Sequence, residues 1–313
     1  MLSTDDFLTL LYWLVDEFCR SCPDLVRKCS GKRGPRTKLT PSEIVTLGIM
    51  GQWDRFDGER GFWRFAEARL RTHFPNLCNR SQFNRASRRL HPVSAAFFLH
   101  LAELLGSCEC PYEIIDRFGV ATRRSGRRGP GWLDGYTDKG LCSRLGFFHG
   151  VQVLSAVTPS GVITGFGIGP GSSKDQPMAS EFLRIRKAPR ASQPWVGKPA
   201  AGQVYVADKG FSGPNRHREW WAQSGAVMTC PPQKGHADPW PRHLRRALAS
   251  MRQICETAHE KLLHRFRLSR ERPHDITGLF ARLCAKASLH NACIWINTRL
   301  GRKPLEFATL LGW

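Results

Sequence analysis

The sequence predicts an α/β protein, a five-stranded sheet flanked by helices, preceded by an all-α segment. Three observations predict it. Apolar residues recur at helical spacing through the first ninety or so positions. From about residue 111, short β-branched and aromatic runs alternate with helical patterns. Two long helical patterns close the chain, giving the order helices, then β-β-β-α-β-α-β, then α-α. The expected division is a helical domain over 1–105 and a sheet domain over 106–313.

The elements follow in order. Phe7, Leu10, Leu11, Leu14, Val15 and Phe18 give 5–28 a helical period. Residues 31–38 are basic and rich in breakers. Thr40-Pro41-Ser42-Glu43 reads as a capping box with Pro at the first helical position. Residues 60–70 form another helix. A turn after Phe74-Pro75 then leads to a helix from Asn79 to Leu90 with a polar start and arginines on one face. That pattern resembles a recognition helix, with Gln82, Asn84, Arg85, Arg88 and Arg89 as DNA contacts; the competing reading is a basic surface helix. Strands are expected at 112–120, 147–158, 161–168, 203–207 and 226–230, with a turn at Pro159-Ser160-Gly161. Residues 121–145, rich in Gly, Arg and Lys, read as a loop. Helices are expected from Asp175, at 215–223, at 245–266 and at 276–298.

Composition narrows the partner. Forty-seven Lys and Arg against 26 Asp and Glu leave a formal charge of +21, and 41% of residues are hydrophobic. That content supports a core. A surplus this large calls for a polyanion, with nucleic acid ahead of an anionic membrane surface. No apolar run approaches the ~18 residues of a membrane span, and Met-Leu-Ser-Thr-Asp-Asp lacks the basic start of a signal peptide. Eleven cysteines read as reduced intracellular thiols. Cys19 and Cys22 fall on the helical pattern of 5–28, so a core role outweighs zinc. The expected location is intracellular. In Glu219-Trp220-Trp221 the tryptophans read as core ahead of a partner contact.

Three acids stand out. Asp116 follows Ile114-Ile115 in a strand, where Asp is disfavoured; the alternative is a strand-end residue facing solvent. Asp208 ends Val204-Tyr205-Val206-Ala207, at the carboxyl end of a strand where ligands of open sheets gather; the alternative is an Asp starting a turn. Lys209 beside it could hold a phosphate, and Gly210 allows a sharp turn. Glu256 sits on a helix, on the order of 130° from the centre of its apolar stripe and four residues after Arg252, so it equally suits an exposed ion pair. Three carboxylates from separate elements can converge on two divalent ions, Mg²⁺ or Mn²⁺, of the kind that clamp the oxygens of a phosphoryl transfer.

At these residues the sequence resembles bacterial insertion-sequence transposases of the DDE class. Tyr205-Val-Ala-Asp-Lys-Gly-Phe211 is the clearest match. Phe148-His149-Gly150-Val151-Gln152-Val153 through Ser173-Lys174-Asp175 resembles the stretch between the two aspartates, and Arg252-Gln-Ile-Cys-Glu256-Thr resembles the third-acid helix. His290-Asn291 is similar as well, and the likeness covers about 112–297. Position 249 is Ala and 263 is Leu where some relatives carry Tyr and Lys. The resemblance implies a ribonuclease-H-like mixed sheet, with Asp116, Asp208 and Glu256 as catalytic acids and ligands of two ions. It implies metal-dependent cleavage and strand transfer at element ends by a homodimer on two DNA ends, with the basic loop (including Arg127 and Arg128), Lys209 and Arg252 as further DNA contacts. The alternatives are a nuclease without strand transfer and a non-catalytic DNA-binding derivative.

Overall fold

The computed structural model describes residues 1–31, 38–123, 132–188, 195–232 and 240–312. The chain forms two compact units. One comprises Met1–Leu101 with Leu262–Trp313, and the other Ala102–Lys261. The divisions fall after Leu101 and after Lys261. Residues from Leu262 onward group with the N-terminal helices, because the last helix buries nearly its whole surface there.

The helical unit starts with α1 (Thr4–Ser21) and α2 (Pro23–Ser30). The single helix expected over 5–28 is broken, since Pro23 lacks the N–H to continue α1 and instead occupies the first turn of α2. The capping box forms as expected: Thr40 accepts from the Glu43 N–H and Glu43 from the Thr40 N–H, opening α3 (Pro41–Met50). Next come α4 (Glu59–Arg69) and α5 (Arg80–Arg89). Residues 70–79 join them, a longer connection than the three to four residues of a helix-turn-helix turn. A helix with no counterpart in the sequence reading, α6 (His91–Leu104), follows α5 directly. The unit is completed by α10 (Ile276–Arg299), which the sequence placed correctly. Asn291 donates to the Phe98 carbonyl and Ser288 to the Ser94 carbonyl, so α10 is bonded to α6 as well as packed.

The other unit is built on a six-stranded mixed sheet: β1 (Glu113–Arg123), β2 (Asp138–Cys142), β3 (Gly146–Val157), β4 (Ile163–Pro170), β5 (Val204–Val206) and β6 (Val227–Thr229). The order is β2-β3-β1-β5-β6. The long β3 pairs antiparallel with β1 on one side; on the other it takes β2 along its first half and β4 along its second. β1 then pairs parallel with β5, and β5 with β6. The strand β2 lies where a loop over 121–145 was expected. Gly140 makes it possible: a Cβ there would meet the Gly171 carbonyl oxygen at 2.2 Å. Gly161 closes the β3–β4 turn at φ +90°.

Helices cover both faces. α7 (Asp175–Lys187) joins β4 to β5 and α8 (Pro214–Ser224) joins β5 to β6. α9 (Arg242–Glu260) follows β6; it stops short of the expected 266, and a π-helical turn takes over at Lys261–Arg265. Strand alternation puts Asp116 and Arg117 on opposite faces. Asp116 meets Arg252 of α9, while Arg117 pairs with Asp175 of α7 at 2.5 Å. Beneath α7, Glu113 and Arg186 form a fully buried ion pair that Thr164 and Tyr205 complete. Trp220 is core, but Trp221 is 62% exposed.

Candidate active site

The parallel pairing of β1 with β5 builds the site. Ile114 stands opposite Val206, so the same register two residues on brings Asp208 beside Asp116. Both then share the parity that faces α9. Each aspartate is held by one oxygen. Asp116 Oδ1 accepts the Arg117 N–H at 2.8 Å, and Asp208 Oδ1 accepts the Gly210 N–H at 3.2 Å. A Cβ at Gly210 would stand 2.3 Å from Asp175 Oδ2, so a larger residue there would displace that carboxylate.

The remaining oxygens turn to one cation. Arg252 Nη2 lies 3.4 Å from Asp116 Oδ2 and 3.4 Å from Asp208 Oδ2, with Glu256 Oε1 at 3.9 Å. The side chains form a gradient of exposure: Asp116 15%, Asp208 38% and Glu256 59%. Asp116 is the deep member and Glu256 the rim. The Arg252 contacts are longer than an ordinary hydrogen bond, and its buried Nε has no hydrogen-bond partner among the described residues. One loosely bonded guanidinium therefore stands among three carboxylates. Burial raises the Asp116 pKa to about 6, with Asp208 adding to the rise and Arg252 opposing it.

α9 is fixed to the sheet one turn further on. His259 Nε2 lies 2.7 Å from Ser155 Oγ and 3.3 Å from Cys255 Sγ, and its ring packs on Phe118 at 4.2 Å. Ser155 is the register partner of Asp116 on β3. Strand and helix thus hold the acids at set positions through a buried polar contact the sequence reading did not single out. A Cys and a His four apart on a helix, starting three residues after an Arg on the same turn, was the available signal.

The donor set fits divalent ions. Two carboxylate oxygens already converge on a cationic nitrogen, and hard oxygens suit Mg²⁺ or Mn²⁺. Among the described residues, no three His, Cys, Asp or Glu side chains are close enough to hold one ion together.

The DNA-contact candidates divide. Lys209 is exposed beside Asp208. On α5, Gln82 completes a capping box with Asn79, Asn84 donates to Glu59 at 2.5 Å, and Arg88 pairs with Asp275. Asn84 and Arg88 line a cavity of about 70 Å³ with Gln52 and Glu271. Arg85 and Arg89, one turn apart, are exposed. Arg127 and Arg128 lie outside the described residues, as does most of the basic stretch over 31–38.

The strand order and the placing of the acids define a ribonuclease-H-like α/β domain. Family models sharpen this: residues 114–292, more than half of the 313-residue chain, match the transposase DDE domain. The chain belongs to that family of transposases. No curated protein and no solved structure matches it. Among the described residues, no helix is long and apolar enough to cross a membrane.

Proposed function

We propose that the chain is a DNA transposase that cleaves and joins strands at the ends of an insertion sequence. The observation that carries this is the convergence of Asp116, Asp208 and Glu256, from β1, the end of β5 and α9, on a single guanidinium. Asp116 and Asp208 would hold divalent ions through their Oδ2 atoms, and Glu256 would complete the set from the rim. When bound, two such ions polarise the phosphoryl oxygens and activate water or a 3′-hydroxyl.

The chain's own groups supply the rest. The Arg117 and Gly210 N–H groups fix the two aspartates, so their geometry is set before DNA arrives. Arg252, once the carboxylates are otherwise neutralised, offers its fork of donors to a backbone phosphate. Lys209 sits at the mouth for a neighbouring phosphate. In the helical unit, Arg85 and Arg89 are the DNA contacts that the geometry favours, whereas Gln82, Asn84 and Arg88 are engaged internally. Two copies acting on two ends complete the reading.

The test is Asp208→Ala with a plasmid carrying the element's own ends in Mg²⁺. Cleavage should fall by on the order of 10³-fold or more, with DNA binding kept. A variant that still cuts refutes the assignment. Joined products from the wild type separate a transposase from a plain nuclease, and activity that persists in EDTA contradicts the metal ligands.

A further inference from the structure

The face of the sheet that carries Asp116 continues outward along β3 to a second set of groups. Alternation puts Phe147, His149, Val151, Val153 and Ser155 on one side of that strand. Ser155 stands opposite Asp116. At the other end, Lys139 of β2 is the partner of His149, and Leu141 the partner of Phe147. Across β3, a bulge after Ala121 brings Arg123 of β1 opposite His149. One face therefore presents the row Lys139–His149–Arg123 over three strands. The apolar pair Leu141–Phe147 lies one step beyond it. Phe147 is 81% exposed and Leu141 58%. Asp138, the acid of this ribbon, has the opposite parity and accepts from the Ser172 N–H at 2.7 Å.

A lone exposed apolar residue is unremarkable. A cross-strand apolar pair backed by Lys and Arg, on the face that bears the acids, matches the surface of a duplex. Cations suit phosphates, and Phe or Leu side chains suit sugars and base edges of a minor groove. Phe147 precedes Ser155 by eight residues. At about 3.3 Å per residue that is about 26 Å, the length of about eight base pairs.

We infer that the β2–β3 ribbon is a DNA-contact element, gripping the duplex that flanks the cleaved phosphate. Lys139 and Arg123 meet the backbone, and Leu141 and Phe147 pack into the minor groove. This rests on the transposase reading and adds a place where flanking DNA is held.

The experiment measures binding of the full chain, in EDTA, to a mixed-sequence duplex of about 40 base pairs between about 50 and 200 mM NaCl. Leu141→Ser with Phe147→Ser should weaken binding about tenfold and leave the salt slope unchanged. Lys139→Ala should lower that slope by about 0.9. Phe147→Trp should stay within about twofold of the wild type. Thermal melts of the exposed-site variants control for folding. Undiminished binding by the double serine variant overturns the inference. So does a change in its mass in solution at unchanged DNA affinity, which would make the ribbon a contact between copies. A wild type that binds no duplex defeats the transposase reading itself, before any substitution is made.

Discussion

At the scale of single residues, the acid cluster stores repulsion that the guanidinium only partly offsets. Burial and Asp208 work against an ionised Asp116, and Arg252 works for it. Substitutions on the two sides should therefore move stability in opposite directions. In EDTA near neutral pH, Asp116→Asn removes a buried charge and should stabilise by about 1–2 kcal/mol, raising Tm by a few degrees while abolishing cleavage. Arg252→Met strips three carboxylates of their shared cation and should destabilise by about 1–3 kcal/mol. Calorimetry of both variants decides, and shifts of the same sign would contradict the geometry. Arg252 also shows where the sequence ran short. Its spacing to Glu256 announces a helical ion pair, but its closer partners, Asp116 and Asp208, lie 136 and 44 residues away. The aspartates were legible because an acid after Ile-Ile, or at the end of Val-Tyr-Val-Ala, is locally costly; no local rule tells what a long flexible Arg will reach.

At the scale of elements, what could be read followed the strength of the local pattern. β3, β4, β5 and β6 stood out as β-branched runs with turn residues between them. β2 did not, because Lys139 and Gly140 look like loop, and the glycine is there to let Gly171 approach. α6 was missed for a different reason. It is apolar on all sides, with Val93, Ala95, Phe97, Phe98 and Leu101 fully buried, so it has no stripe. It also follows α5 after a single residue, Leu90, with Pro92 in its first turn. α10 was clear in outline, but Lys286 within it was not. That residue is wholly buried, donating to Gln52 and to Glu271 at 2.8 Å. Burial lowers its pKa to about 8, although Glu271 opposes the fall. Glu271 is itself pushed up by burial, but Lys286 and Arg282 outweigh that and hold it low. Between about pH 8 and 10.5 the unfolded chain keeps a proton on this lysine that the folded chain has lost, so the site's contribution to stability rises with pH. Other groups titrate in the same range, and a variant isolates the effect. Relative to Lys286→Met, the wild type should gain about 1–3 kcal/mol across that window in urea melts. A flat difference would contradict it.

At the scale of the whole molecule, the helical unit is discontinuous, made from Met1–Leu101 and Leu262–Trp313. A cut near 105, which the sequence recommended, removes α10 and with it the partners of Ser94 and Phe98. Fragment 1–105 should therefore lack a cooperative melt by circular dichroism, while 1–101 joined by a short Gly/Ser linker to 262–313 should regain one. A cooperative melt from the short fragment would show that α10 is dispensable. Charge acts at this scale too, since a surplus of +21 makes any DNA affinity strongly dependent on salt.

The same discontinuity sets an order of assembly during synthesis. The strands and helices of 102–261 are all available once α9 has left the ribosome, whereas α1–α6 must wait for α10. At about 5–20 residues per second, that delay is about 10–40 s. Throughout it, the apolar faces that α10 will cover stand open in the nascent chain, and the helices translated first are the last to find their core.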